Sequence, residues 1–133
     1  MIKLFLFLFG FTFMPAANAE MPQDFLARYI AEAKQQNPLF NGFDPSRGEQ
    51  FFMDRHGSEW SCASCHTDDP KGPGKHAETQ KPIKPMAPAV NPERFTDALK
   101  VEKWYKRSCK DILGRECSAQ EKGDVLAYLL TKK

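Results

Sequence analysis

The chain is poor in metal-ligand side chains. It has 133 residues, of which four are cysteine and three histidine. His56 and His76 stand alone, without a second Cys/His pair at close spacing, and that makes a four-ligand zinc site a poor reading. No segment alternates apolar and polar residues as a half-buried strand does, and no internal repeat is present, so neither a sheet fold nor a repeat array is indicated. The apolar run Leu4 to Met14 falls well below the roughly 18 residues that a membrane-spanning helix needs. Neither sign of charge dominates, because the formal net charge is only +2, and nothing in that balance points to nucleic acid.

The same apolar run has another explanation. Lys3 precedes it and Ala17-Asn18-Ala19 follows it, which is the basic, apolar and small-residue order of a cleaved signal peptide. The expectation is a signal peptide over 1–19 and one mature domain over 20–133 that begins at Glu20. No cysteine follows closely, so nothing indicates a lipid anchor. Export to the periplasm of a Gram-negative bacterium, without stable membrane insertion, is the localisation this implies.

Against this sparse background, Cys62-Ala63-Ser64-Cys65-His66 stands out. A Cys-x-x-Cys-His run is the attachment site of a c-type haem. Two cysteines three positions apart share one turn, so both sulfurs reach the vinyl groups along one porphyrin edge. The next residue is then aimed under the ring, where a neutral imidazole binds iron. Cys62 and Cys65 are the expected thioether residues and His66 the proximal iron ligand. A redox dithiol would sit at the start of a helix in a βαβ pattern, and none is present. A disulfide between Cys62 and Cys65 would close a small, strained ring. Once the leader is removed, about 114 residues form a small core, and one covalently held haem c would add apolar volume to it.

Periodicity supports an all-α chain of about four helices around that haem. The first opens at Pro22 and Asp24, carries Phe25, Leu26, Tyr29, Ile30 and Ala33 on one stripe, and stops at Asn37-Pro38; it is expected to pack on the second. The second starts at Asp44-Pro45-Ser46 and runs to about Arg55, with Phe51 and Phe52 available to haem or core and His56 in a surface or hydrogen-bonding role. Thr67 to about Arg94 contains six prolines and reads as an irregular wrap around the porphyrin, with Ile83, Met86 and Val90 as contacts. Thr96 or Asp97 caps a third helix, whose stripe includes Ala98, Val101, Trp104, Tyr105 and Ser108 and which ends before a loop at Cys109. Ser118 and Glu121 form a capping box for the last helix, whose Val125, Leu126, Leu129 and Leu130 should cross the helix before the haem motif.

Two cysteines remain. Cys109 and Cys117 bracket a short segment, and in an oxidising compartment they form a disulfide or stay as two buried thiols. Lys100, Lys103, Lys106, Arg107 and Lys110 crowd one stretch, as a solvated helix face or as a docking patch for an acidic redox partner.

From Pro85 to Leu130 the segments Pro-Met-Ala-Pro, Asn-Pro-Glu-Arg-Phe-Thr-Asp, Val-Glu-Lys-Trp and Gly-Arg-Glu-Cys resemble the sphaeroides haem protein family. These are monohaem, class I-like cytochromes c with high-spin haem. The resemblance implies electron transfer and binding of oxygen or nitric oxide. It also implies a Cys109–Cys117 disulfide, and a diheme cytochrome c and a membrane cytochrome b as partners. It maps the family's tryptophan onto Trp104, its arginine onto Arg94, and its distal asparagine ligand onto Ser108.

A serine hydroxyl is shorter than an asparagine amide and a poor ligand for ferric haem, so three distal arrangements stay open. Ser108 leaves the iron five-coordinate or water-bound; Met86 binds, which makes a plain electron carrier with His66/Met86 ligation; or Lys106, Lys110 or His76 binds. A peroxidase built on His76 and Arg94 is a further class, but nothing in the sequence sets them near iron, so an enzyme is the less favoured reading.

Overall fold

The computed structural model describes residues 20–133. The signal peptide and its cleavage site, expected over 1–19, lie outside the described residues. The helices are α1 (Pro22–Gln36), α2 (Pro45–Met53), α3 (Cys62–His66), α4 (Ala98–Leu113) and α5 (Ala119–Thr131), with two short strands, β1 (Gly74–Lys75) and β2 (Pro82–Ile83). The helical expectation holds, with five helices among the described residues, the added one being the single turn of the haem motif.

The helix starts follow local chemistry. Asp44 Oδ1 accepts from the backbone N–H groups of Ser46 (2.8 Å) and Arg47 (3.3 Å), while Pro45 fills the first turn, where its missing N–H costs nothing. Asp97 caps α4 by accepting from Lys100 N at 3.0 Å. Ser118 and Glu121 close the expected box: Ser118 N donates to Glu121 Oε2 at 2.7 Å and Glu121 N to Ser118 Oγ at 3.2 Å.

Three details depart from the sequence expectations. First, α4 does not stop before Cys109 but runs to Leu113. The buried side of α4 continues through Cys109 and Ile112, and the stop is Gly114, left-handed at φ +69°, a conformation that favours glycine. Second, the proline-rich segment is not wholly irregular. Gly74 pairs with Ile83 and Lys75 with Pro82, antiparallel, around a turn in which His76 N donates to Lys81 O and Gln80 N to His76 O, both at 2.9 Å. Third, α1 packs chiefly against α5 rather than α2. Its Phe25 and Tyr29 join Phe52, Phe95, Val125, Leu126, Tyr128 and Leu129 in one core.

The crossing of α2 and α5 is a close one, and it is made by a glycine and a carboxylate. A Cβ on Gly48 would lie 2.0 Å from the carbonyl oxygen of Asp124. The Asp124 side chain, only 2% exposed, accepts from Asp44 N (2.8 Å), Arg47 Nε (2.5 Å) and Arg47 Nη2 (2.8 Å). A buried carboxylate is tolerated when paired and hydrogen-bonded in this way. A second polar tie joins three helices: Tyr29 Oη donates to Glu102 Oε1 and Lys122 Nζ to Glu102 Oε2, each at 2.6 Å.

Gly48→Ala forces this crossing apart, and an overpacked core typically costs about 1–3 kcal/mol. A lower midpoint in urea or thermal unfolding is expected; an unchanged midpoint would contradict the close crossing.

Candidate haem site

The site begins with a one-turn helix that caps itself. Ser61 precedes α3, and Ser64 lies inside the Cys-x-x-Cys. Ser64 N donates to Ser61 Oγ at 3.2 Å and Ser61 N to Ser64 Oγ at 2.9 Å. This reciprocal box closes the turn that sets Cys62, Cys65 and His66. Thr67 then adopts φ +64°, an unusual conformation for a β-branched residue, and the chain turns away from His66.

Gly74 packs directly under that turn. A Cβ there would lie 2.1 Å from Cys65 O and 3.1 Å from the His66 Cα. Beyond β1, Ala77 N donates to Cys65 Sγ at 3.3 Å, a contact compatible with a thioether, since sulfur remains a weak acceptor. The hairpin thus fixes the attachment edge from outside.

His66 has the properties a proximal ligand needs. Burial pushes its pKa down to about 4, and the positive charge of Arg94 acts in the same direction. The ring is therefore neutral near pH 7, the form that binds metal. Its Nδ1 is buried with no hydrogen-bond partner. The Phe52 ring lies 6.4 Å away, tilted. Two cysteines on one turn, a neutral imidazole beside them and a turn braced from below fit haem c.

The segment after His66 is tied back to that turn. The carbonyl of Pro70 accepts from Met86 N (2.8 Å) and Ala87 N (2.9 Å). The Pro85 carbonyl accepts from Asn91 Nδ2 and Arg94 Nε, both at 2.9 Å, and the Lys84 carbonyl from Arg94 Nη2 at 2.7 Å. Met86 itself packs partly buried against the helical core.

Ser108 and Trp104 lie one turn apart on α4, both exposed, with Trp104 at 49% and the Arg107 guanidinium 5.8 Å from its ring. The next residue, Cys109, is buried and joined to Cys117 by a disulfide with a Cα separation of 5.6 Å. The bridge ties the last turns of α4 to the start of α5, next to Ser108.

Of the other nominated ligands, His76 and Lys106 are engaged elsewhere. His76 Nδ1 accepts from Glu78 N (3.3 Å) and Thr79 N (3.2 Å) within its turn. Lys106 pairs with Glu116 at 3.1 Å, and Lys110 is exposed. His56 Nε2 meets the Phe51 carbonyl at 2.9 Å near the end of α2. Sequence reasoning missed Ser61, Ser64, Gly74 and Asn91. The Ser-x-x-Ser spacing around Cys62 carries the signal for the first two; Gly74 and Asn91 act through contacts that no local pattern encodes.

A helical fold built on a Cys-x-x-Cys-His turn with a neutral imidazole defines a monohaem c-type cytochrome, with haem c attached through Cys62 and Cys65. Residues 38–129 match the family described as a domain of unknown function, DUF1924. Cytochrome c'' of Methylophilus methylotrophus is 39% identical over 98% of this chain and 95% of its own length. The cytochrome c-type protein SHP of Cereibacter sphaeroides is 46% identical over 52% of this chain and 53% of its own. The crystal structure of oxidised cytochrome c'' superposes with a TM-score of 0.74 at 40% identity, covering 84% of this chain and 94% of that one. Oxidised SHP, described as an oxygen-binding cytochrome c, gives 0.74 at 35% identity, over 86% of this chain and 99% of that one. The chain belongs to the DUF1924 family and is a monohaem c-type cytochrome related to cytochrome c'' and SHP. The resemblance to the sphaeroides haem protein is therefore one side of a relationship that extends over the full chain to cytochrome c''.

Gly74→Ala sets a methyl group against the Cys65 carbonyl, an overpacking that costs about 1–3 kcal/mol. Less haem per purified polypeptide and a lower unfolding midpoint are expected. A variant with full haem content and unchanged stability would show that the hairpin does not brace the motif.

Proposed function

We propose that this protein is a periplasmic electron-transfer cytochrome that binds a small diatomic, oxygen or nitric oxide, on the side of the haem that faces Ser108. Bound haem supplies the redox change and the coordination position. The chain supplies His66 as the proximal ligand, the thioether anchor and the distal surroundings.

The observation that carries the reading is Ser108. It is exposed on α4 one turn from Trp104, and its hydroxyl is too weak a ligand to hold ferric iron. It is, however, able to donate a hydrogen bond to a bound ligand. Met86, the strong alternative, has its backbone N–H on the Pro70 carbonyl, and the Pro85 carbonyl beside it is held by Arg94. The Met86 side chain packs partly buried against the helical core, and a His66/Met86 carrier needs its thioether free to reach iron. Two relatives lend support: SHP is described as oxygen-binding, and a solution structure of cytochrome c'', with a TM-score of 0.74 to this chain, is described in terms of haem-ligand detachment. Among the described residues no helix is long and apolar enough to cross a membrane.

The reduced protein should change its optical spectrum when titrated with carbon monoxide, and Met86→Leu should leave both the starting spectrum and the titration unaltered. A reduced spectrum indifferent to carbon monoxide would sink the ligand-binding role. Loss of a methionine-to-iron band in Met86→Leu would establish the plain carrier instead.

The partners follow from charge. Lys100, Lys103, Lys106, Arg107 and Lys110 are all exposed on α4, and an acidic redox protein, by resemblance a diheme cytochrome c or a membrane cytochrome b, fits that face. Electron-transfer rates with such a partner should fall as salt rises from low to physiological strength, where screening acts within about 8–10 Å. Rates independent of salt would place docking elsewhere.

A further inference from the structure

The Cys109–Cys117 bridge has one shielded end and one accessible end. Cys109 is 2% exposed on the buried side of α4, and Cys117 is 8% exposed. A cleft of about 200 Å³ between α4 and the start of α5 is lined by Cys117 and not by Cys109. Its other walls are Glu102, Lys103 and Lys106 from α4, Glu116 from the loop and Lys122 from α5. A molecule entering from solvent therefore comes to the Cys117 end of the bridge.

The cleft is also charged in one sense. Three ammonium groups face two carboxylates there. Both carboxylates are engaged, Glu102 by Lys122 at 2.6 Å and Glu116 by Lys106 at 3.1 Å, so Lys103 supplies an excess positive charge. Lys100, Arg107 and Lys110, exposed on the same helix, add to it. Such a field favours an anion. The species that opens a disulfide is a thiolate, not a thiol, and it carries that negative charge.

The helices do not depend on the bridge alone. It closes a sequence separation of 8, and cross-links of short loops stabilise less than those of long ones. α4 and α5 are also joined by the Lys122–Glu102 pair and by Tyr105 Oη, which donates to the Lys122 carbonyl at 3.2 Å. What the bridge adds is a hold on the last turn of α4, from Lys110 to Leu113, and on the loop at Gly114.

We propose that Cys117 is a thiol-exchange site, at which a small anionic thiol opens the bridge and releases the last turn of α4. The thiolate sulfur bonds to the Cys117 sulfur while the disulfide breaks, and Cys109 leaves as a thiolate that takes up a proton. A second thiolate attacks the small thiol's sulfur in that mixed disulfide and frees Cys117, which also takes up a proton. Two thiols are oxidised to one disulfide, and the bridge gains two electrons and two protons. Exchange at Cys117 is independent of what binds at the iron.

In the test, the complete haem-loaded protein, whose Cys62 and Cys65 are thioethers and do not exchange, is incubated with glutathione or with the cationic thiol cysteamine. Acid-quenched samples are alkylated and their peptides analysed by mass spectrometry. The first adduct should sit on Cys117, with Cys109 as the free thiol. At equal thiolate concentration and low salt, glutathione should open the bridge roughly tenfold faster than cysteamine. Lys103→Glu or high salt should erase most of that ratio. Amide hydrogen exchange over 110–113 should rise once the bridge is open. An adduct on Cys109, a bridge that glutathione leaves closed, or rates indifferent to thiol charge would overturn the assignment, and unaltered amide exchange would overturn the release. Where Lys103→Glu yields no folded protein, the salt series on the unmodified protein decides. A ratio that falls with salt supports the charged cleft, and a constant ratio refutes it.

Discussion

A single helical turn carries the whole arrangement. Haem attachment needs two sulfurs and an imidazole in fixed relation, and five residues supply all three only if the turn over Cys62–His66 is held. So short a helix has almost no cooperative stability of its own. The protein compensates locally and from outside. Ser61 and Ser64 satisfy each other's backbone N–H groups, and Gly74 lets the hairpin backbone press against Cys65. Covalent attachment then makes the porphyrin part of the core of a chain too small to be generous with apolar burial.

The surrounding fold divides into a rigid base and two differently built flanks. The base is the α2/α5 crossing, closed by Gly48 on the Asp124 backbone and locked by the Arg47–Asp124 pair. Phe52, from the same helix as Gly48, carries that rigidity to the His66 ring. One flank is the proline-rich strap, which has little regular structure and is ordered by side chain-to-carbonyl bonds from Asn91 and Arg94. The other is α4, a long helix pinned at its end by the Cys109–Cys117 bridge. The strap is tied back to the segment just after His66 through the Pro70 carbonyl, whereas α4 leaves Ser108 and Trp104 exposed. Under the proposed function, that asymmetry gives a fixed proximal side and an open distal one.

What the sequence made legible was local. The haem motif, the Asp44, Asp97 and Ser118 caps and the amphipathic stripes each depend on residues within four positions of one another, so spacing alone reveals them. Features joining distant segments stayed hidden. The stripe of α1 announces a buried face, but only the tertiary fold selects α5 as its partner. Cys109 resembles a loop boundary because cysteines often mark one, yet the continuing buried face through Ile112 overrides it and Gly114 ends the helix. Strands of two residues are too short to show alternation. The clamp of Arg94 on Lys84 and Pro85 spans nine to ten positions of irregular chain, beyond any periodic signal.

The central claim is that iron is held by His66 on one side and by no strong side-chain ligand on the other. Electron paramagnetic resonance of the purified ferric protein at low temperature tests it directly. The account predicts a predominantly high-spin axial signal that persists in Met86→Leu. A low-spin signal of six-coordinate iron from the unmodified protein would contradict it.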